Sequence, residues 1–276
     1  MIVLTYATHS DGYYEILKDQ CDNFNMEFIT LGYGQKWKGY LNRYEETLDY
    51  LLTLDENEIV LITDGFDSLL LEDEDTILEK FYKIKKDKWI VYANEYPNLL
   101  TKLEFGSCNN KNINAGSLIG RVNELIIFMQ KFLEFSKDYK TKDDQVLLTK
   151  FCKLKPTFME MVELDEKNII FCMVSYSPVL FHILSDYTYT KNFRNIQIKD
   201  KKIWEKYTNT TPSVVFGWRI TNMDDLVEHL GYDVKNQNQN LWKMIKERWV
   251  TVLIFLTALG IICIPIVFLL IKLLKK

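Results

Sequence analysis

Two carboxylates, Asp64 and Asp67, follow closely on the apolar run Ile59-Val60-Leu61-Ile62, with Gly65 and Phe66 between them. Such a run reads as a buried strand, and open α/β sheets take ligands at the C-terminal ends of their strands. Two hard oxygen donors at a strand tip suit Mn²⁺ or Mg²⁺, and an ion there can neutralise a departing diphosphate. The same D-x-x-D pattern also reads as an acidic turn capping the next segment. Three further groupings carry residue types that bind ligands. Asn112 to Gly120 sets Asn114 and Gly116 ahead of an apolar stretch. Gly116 lets a backbone pass close to a ligand, or simply makes a turn. Lys142-Asp143-Asp144-Gln145 offers carboxylates to a sugar hydroxyl or a reacting centre, or else caps the helix that follows. Leu31 to Gly39 surrounds Trp37 with glycines and lysines, the make-up of a loop over a ring and a phosphate.

The elements that would position these residues alternate in the α/β manner. Strands are expected at Ile2–Tyr6, Met26–Leu31, Glu58–Thr63, Trp89–Ala93 and Ser117–Ile119. Helices are expected at Tyr13–Asn23, Glu45–Leu54, Glu74–Lys85, Asn123–Phe135 and Asp143–Cys152. With 47% hydrophobic residues in 276, a sizeable core can be buried. The net charge of −4 leaves no broad basic face, which argues against a nucleic-acid partner. The five cysteines, Cys21, Cys108, Cys152, Cys172 and Cys263, include no C-x-x-C pair. They suggest neither a zinc site nor a disulfide scaffold, and fit a reducing compartment.

Val250 to Ile271 carries no charged side chain. As a helix it would be about 33 Å long, against a hydrocarbon core of ~30 Å. Trp249 edges it, Lys243, Lys246 and Arg248 precede it, and Lys272, Lys275 and Lys276 follow. Residues 1–233 are therefore expected to form one α/β domain, with 234–248 a polar and basic linker. Residues 249–272 would form a transmembrane helix in a lipid bilayer and 273–276 a basic tail. With no leader at the N-terminus, the chain reads as tail-anchored with its large domain on the cytosolic side.

Taken in order, these segments resemble the glycosyltransferase domain of lysyl hydroxylases and the related procollagen galactosyltransferases. Thr5-Tyr6-Ala7-Thr8 matches that family's T-x-A-T, and Leu31 to Gly39 its L-G-x-G-x-x-W-x-G. Asp64 and Asp67 match its D-x-x-D, and Tyr92-Ala93-Asn94-Glu95 its strand with an acidic end. Asn114 to Gly120 matches N-S-G-x-x-I-G, and Asp143-Asp144-Gln145 matches D-D-Q. Leu164-Asp165 ahead of Ile170-Phe171 matches its late L-D pattern. The resemblance covers roughly residues 2 to 233. It implies a GT-A fold, a Rossmann-type mixed sheet flanked by helices. It further implies a UDP-glucose or UDP-galactose donor, Mn²⁺ or Mg²⁺, and transfer of the hexose with retention to a protein acceptor such as hydroxylysine of a collagen-like chain.

By the same likeness Asp64 and Asp67 would hold the metal. Thr5, Ala7, Thr8 and Trp37 would lie near the uridine, and Gly116 would border the donor. Asn114, Asp143, Asp144 and Gln145 would line the sugar and acceptor side. One departure stands out: Phe216 occupies the place of the family's metal-binding histidine, and phenylalanine cannot ligate a metal. Either Arg219 or another cation carries part of the diphosphate charge, or the chain is a catalytically impaired, membrane-tethered binder of nucleotide sugar. The hydroxylase domain is not recognisable, so neither iron nor hydroxylation is expected.

Overall fold

The computed structural model describes residues 1–95, 105–108, 111–155, 157–174, 195–199, 202–217, 223–233 and 257. The chain divides into two compact units, Met1–Val234 and Lys235–Lys276. Of the second unit only Thr257 is described, in helical conformation and exposed. The expected linker and the apolar run at 249–272 otherwise lie outside the described residues. Among the described residues, no helix is long and apolar enough to cross a membrane.

The first unit is a mixed α/β structure built on a six-stranded sheet. Its strands are β1 (Ile2–Tyr6), β2 (Glu27–Leu31), β3 (Ile59–Ile62), β5 (Ile90–Glu95), β6 (Asn112–Arg121) and β7 (Val162–Asp165), in the order β2-β1-β3-β6-β5-β7. β1 runs parallel to β2 and β3, and β5 runs parallel to β7. β6 is antiparallel to both of its neighbours, β3 and β5. Its first residues therefore lie at the same end of the sheet as the last residues of β1 and β3.

Both faces of the sheet are covered, which is why the inner strands β1 and β3 read as near-continuous apolar runs. Ile2, Leu4, Val60, Tyr92 and Leu118 enter one core cluster. There they meet helices α2 (Tyr40–Leu51), α4 (Val122–Ser136) and α5 (Asp144–Leu154), through Tyr44, Leu51, Phe128, Phe132, Leu147 and Phe151. Val3, Leu61, Val91 and Ile119 point to the other face, against α1 (Tyr14–Asn23) and α3 (Glu74–Lys85), through Leu17, Cys21, Ile77 and Phe81. α4 buries Val122, Leu125, Phe128, Met129, Phe132 and Phe135, the three-and-four spacing of a helix with one apolar stripe. A short α6 (Thr157–Met161) leads into β7, and α7 (Asp224–His229) packs on a third cluster.

A second, three-stranded sheet has the order β4-β11-β8, from β4 (Ser68–Leu70), β8 (Phe171–Met173) and β11 (Val214–Phe216). β9 (Ile196–Lys199) and β10 (Lys202–Glu205) pair as an antiparallel ribbon.

Three expectations need correction. α2 begins at Tyr40 instead of Glu45, because it starts on Gly39 at φ 113 with no capping side chain to mark it. β6 runs from Asn112, since Asn112 to Gly116 is extended strand despite its turn-like composition. Cys108 and Cys152 form a disulfide with Cα atoms 5.9 Å apart, so the cysteines are not all free thiols. Spacing alone does not give connectivity, and these two partners are 44 residues apart.

Candidate active site

Asp64 emerges from the tip of β3. The β3–β6 register pairs Ile62 with Leu118, and two residues further along the ladder Asp64 comes level with Gly116. A side chain at 116 is excluded there: a Cβ would lie 2.2 Å from Asp64 Oδ2. Asp64 Oδ1 accepts from Arg43 Nη1 at 2.6 Å. Arg43 Nη2 donates to Asp144 Oδ2 at 2.5 Å and to the Ala115 carbonyl at 3.0 Å. One guanidinium from α2 thus ties together β3, β6 and the first turn of α5.

Burial sorts the three charges. The side chains of Arg43 and Asp144 are 17% and 6% exposed, whereas Asp64 is 43% exposed. Burial alone would lower the Arg43 pKa, but the charges of Asp144 and Asp64 outweigh it and hold the guanidinium above its ordinary value. Burial raises the Asp144 carboxyl above the usual aspartate value, although Arg43 pulls the other way. Two carboxylates against one guanidinium leave a negative excess, and the accessible part of it is Asp64.

Below this cluster is a cavity of about 20 Å³, room for about one water, lined by Thr5, Arg43, Tyr44, Thr63, Asp64 and Gly116 among others. Thr5 is fully buried, and its Oγ1 has no hydrogen-bond partner among the described residues. Ala7 is buried, its N–H donating to the Leu31 carbonyl at 3.1 Å. The Thr8 carbonyl accepts from Gly34 N–H at 2.9 Å, which fastens the glycine loop to the end of β1. Gly32, at φ 72, lets that loop pass against the Tyr6 ring. Trp37 stands at the rim, 45% exposed, with its ring 5.6 Å from Tyr6 and 5.3 Å from Tyr40.

The other expected residues hold the scaffold in place. Asp143 caps α5, accepting from Val146 N–H at 2.9 Å. Gln145 grips β6 through its side chain: Oε1 accepts from Ala115 N–H at 2.7 Å, and Nε2 donates to the Ile113 carbonyl. Asn114 Nδ2 donates to Glu95 Oε1 at 3.1 Å, and its Oδ1 accepts from Gly116 N–H at 2.8 Å. Asp165 is buried, with three backbone N–H groups, those of Ile169, Ile170 and Phe171, donating to its carboxylate.

Asp67 lies where β3 passes into β4, and its carbonyl accepts from Gly217 N–H at 2.8 Å. Position 216 is therefore brought beside the D-x-x-D turn, as the resemblance requires. Its side chain is not aimed at that turn, however. Phe216 is 3% exposed and packs in the cluster with Phe171, Val214 and Ile77. Arg219 lies outside the described residues.

The functional residue that the motifs missed is Arg43. A signal for it existed: Tyr44, Thr47 and Leu51 form the buried stripe of α2, and Arg43 borders it at the i−4 position from Thr47. A charge at the margin of an apolar stripe either extends to solvent or meets a partner, and here it meets two.

Among the described residues, no three His, Cys, Asp or Glu side chains converge as a ready-made metal cage. The donor types nevertheless fit a divalent ion of the kind held by one or two carboxylates and completed by substrate phosphates. Asp64 supplies an accessible hard oxygen beside a negative excess, and Asp67 comes from the same turn.

A family model described as the PLOD GT domain matches residues 1–237. The chain belongs to that family. The curated relatives it matches include the procollagen-lysine,2-oxoglutarate 5-dioxygenase of Drosophila melanogaster, 28% identical over 54% of this chain and 22% of that protein. Another is the multifunctional procollagen lysine hydroxylase and glycosyltransferase of Caenorhabditis elegans, 25% identical over 60% of this chain and 23% of that protein. An uncharacterized protein, R699, of Acanthamoeba polyphaga mimivirus is 22% identical over 71% of this chain and 41% of its own length. This chain spans less than half the length of each of these relatives.

Among solved structures, a glycosyltransferase involved in glycosylation of the major capsid of PBCV-1 overlaps 83% of this chain and 98% of its own, with TM-score 0.49 and 9% identity. The galactosyltransferase LgtC overlaps 79% of this chain and 87% of its own, with TM-score 0.43 and 15% identity.

Proposed function

We propose that residues 1–233 transfer a hexose, glucose or galactose, from UDP to a protein acceptor with retention of configuration. The observation that carries this reading is the Asp64–Arg43–Asp144 cluster, with its outermost carboxylate accessible at the sheet's ligand-binding end. Asp64 and Asp67 would hold Mn²⁺ or Mg²⁺, which supplies charge neutralisation for the departing UDP. Trp37 offers an exposed ring to the base, beside the Thr5–Thr8 end of β1. Arg43 fixes Asp64 and Asp144 relative to each other, so the acids are positioned before the donor arrives. A collagen-like hydroxylysine acceptor is supported by what the Caenorhabditis elegans relative is named for.

Anchoring through 249–272 belongs to the same proposal. The Cys108–Cys152 bond, of a kind uncommon in cytosol, favours the oxidising side of that bilayer over the cytosolic side.

One observation favours a second reading, a binder of nucleotide sugar without turnover: the dry burial of Phe216 where the resemblance calls for a histidine. Turnover of UDP-glucose and UDP-galactose, measured with Mn²⁺ and with EDTA, separates the two. The transferase reading expects metal-dependent turnover that Asp64→Ala reduces by about 10²-fold or more. A thermal shift with UDP but no hydrolysis or transfer in either condition would leave only the binder.

A further inference from the structure

We propose that the Cys108–Cys152 disulfide is a positioning element for the active site: it holds α5 so that Asp144 meets Arg43, and its reduction disables transfer while the domain stays folded. The activity part of this inference rests on the transferase reading; the structural part does not.

α5 is joined to the start of β6 at two levels. At its first turn, Gln145 holds the backbone of Ile113 and Ala115, and Asp144 reaches Arg43. About two turns later, roughly 10 Å along the axis, Cys152 is bonded to Cys108, just ahead of β6. Between these levels the approach to Cys108 runs close along the helix: a Cβ on Gly106 would lie 3.5 Å from Thr149 Cγ2. The helix is also packed in the core through Leu147 and Phe151; the disulfide adds a covalent tie at its far end that keeps it from tilting about the Gln145 grip. Asp144 is almost fully buried, so a tilt about the Gln145 grip turns its carboxylate out of line with the Arg43 guanidinium, its ion-pair partner among the described residues.

The remaining described thiols do not compete for a reductant. Cys21 and Cys172 are free and buried, and burial pushes the Cys21 thiol up to about 12 and Cys172 well above its ordinary value.

Reduction by a small-molecule thiol is balanced by two equivalents. The first thiolate attacks one sulfur, and the other cysteine leaves as a thiolate and is protonated. The second thiol resolves the mixed disulfide, giving two cysteine thiols and one external disulfide.

The test compares three forms of the full chain by amide hydrogen exchange and by donor kinetics: oxidised, reduced with dithiothreitol, and Cys108→Ser/Cys152→Ser. Expected are a loss of protection of about tenfold or more at Ala115 and Val146, with β1 amides unchanged, and a cooperative melt. Expected with it are a kcat lower by about tenfold or more, a donor KM within about twofold, and recovery on reoxidation. Unchanged exchange at Ala115 and Val146 after complete reduction overturns the proposal. So does a protection loss spread evenly over the sheet, which marks a purely structural bond. If even the oxidised protein turns nothing over, the transferase reading fails alone and the exchange pattern still decides this one.

Discussion

The D-x-x-D turn has two unlike sides. On the β6 side, Asp64 meets Arg43, Asp144 and the bare Cα of Gly116, with a water-sized cavity beneath. On the β11 side, the backbone of Asp67 meets Gly217, and the neighbouring side chain, Phe216, is sealed among Phe171, Val214 and Ile77. The backbone connections are equally regular on both sides; what differs is where side chains point. One face of the turn presents a charge reachable from solvent, while on the other the side chain at 216 is buried. An ion held by the turn would take no ligand from the side chain of residue 216, since a phenyl ring offers none.

Removing Arg43 should break the charged side most severely. Arg43→Ala leaves Asp144 buried without its cation and should cost about 3–5 kcal/mol by urea denaturation, with turnover lost. A loss below about 1 kcal/mol would mean the three charges are not held as described.

Phe216→Ala attacks the dry side. It should cost a similar or somewhat smaller amount, at most about 3–5 kcal/mol, by cavity formation, yet leave Mn²⁺ affinity and donor KM unchanged in the folded fraction. Tighter Mn²⁺ binding by Phe216→His would show that this side opens to the metal after all, and the contrast would fail.

The smallest effect is in pH dependence. Because burial raises the Asp144 pKa, the folded state binds that proton more tightly than the unfolded chain. Its contribution to stability therefore declines as pH rises from the ordinary value of ~3.9 through the raised folded value. Asp165, also raised by burial, adds a slope of the same sign. The acid limb of kcat is the cleaner readout. It should lie above the ordinary aspartate range, disappear in Asp144→Asn, and stay in place in Phe216→Ala.

Much of the charged side was legible in the sequence. The apolar run before Asp64 marks a strand tip, and Asp144 follows a recognisable helix cap. Gly116 was visible as a residue allowing close approach, although the approach is to Asp64 itself. What escaped was held by partners distant in the chain. Arg43 carries no motif, and α2 lacks the capping side chain that would have announced its start. Cys108 and Cys152 reveal their pairing only once α5 lies along the start of β6. The dry side was nearly silent, because β4, β8 and β11 are three residues each and buried throughout, which leaves no alternation to read.

The reversed direction of β6 has a consequence for how the chain matures. The arginine at 43 finds its first carboxylate at 64, but the second arrives only at 144, after β6 has been threaded between β3 and β5. A chain that extends only through the turn at 64–67 can pair the guanidinium with one carboxylate but lacks Asp144. The three-charge centre is complete only when the polypeptide from 112 to 154 is in place, because Asp144 and the backbone that faces Asp64 both lie in that stretch.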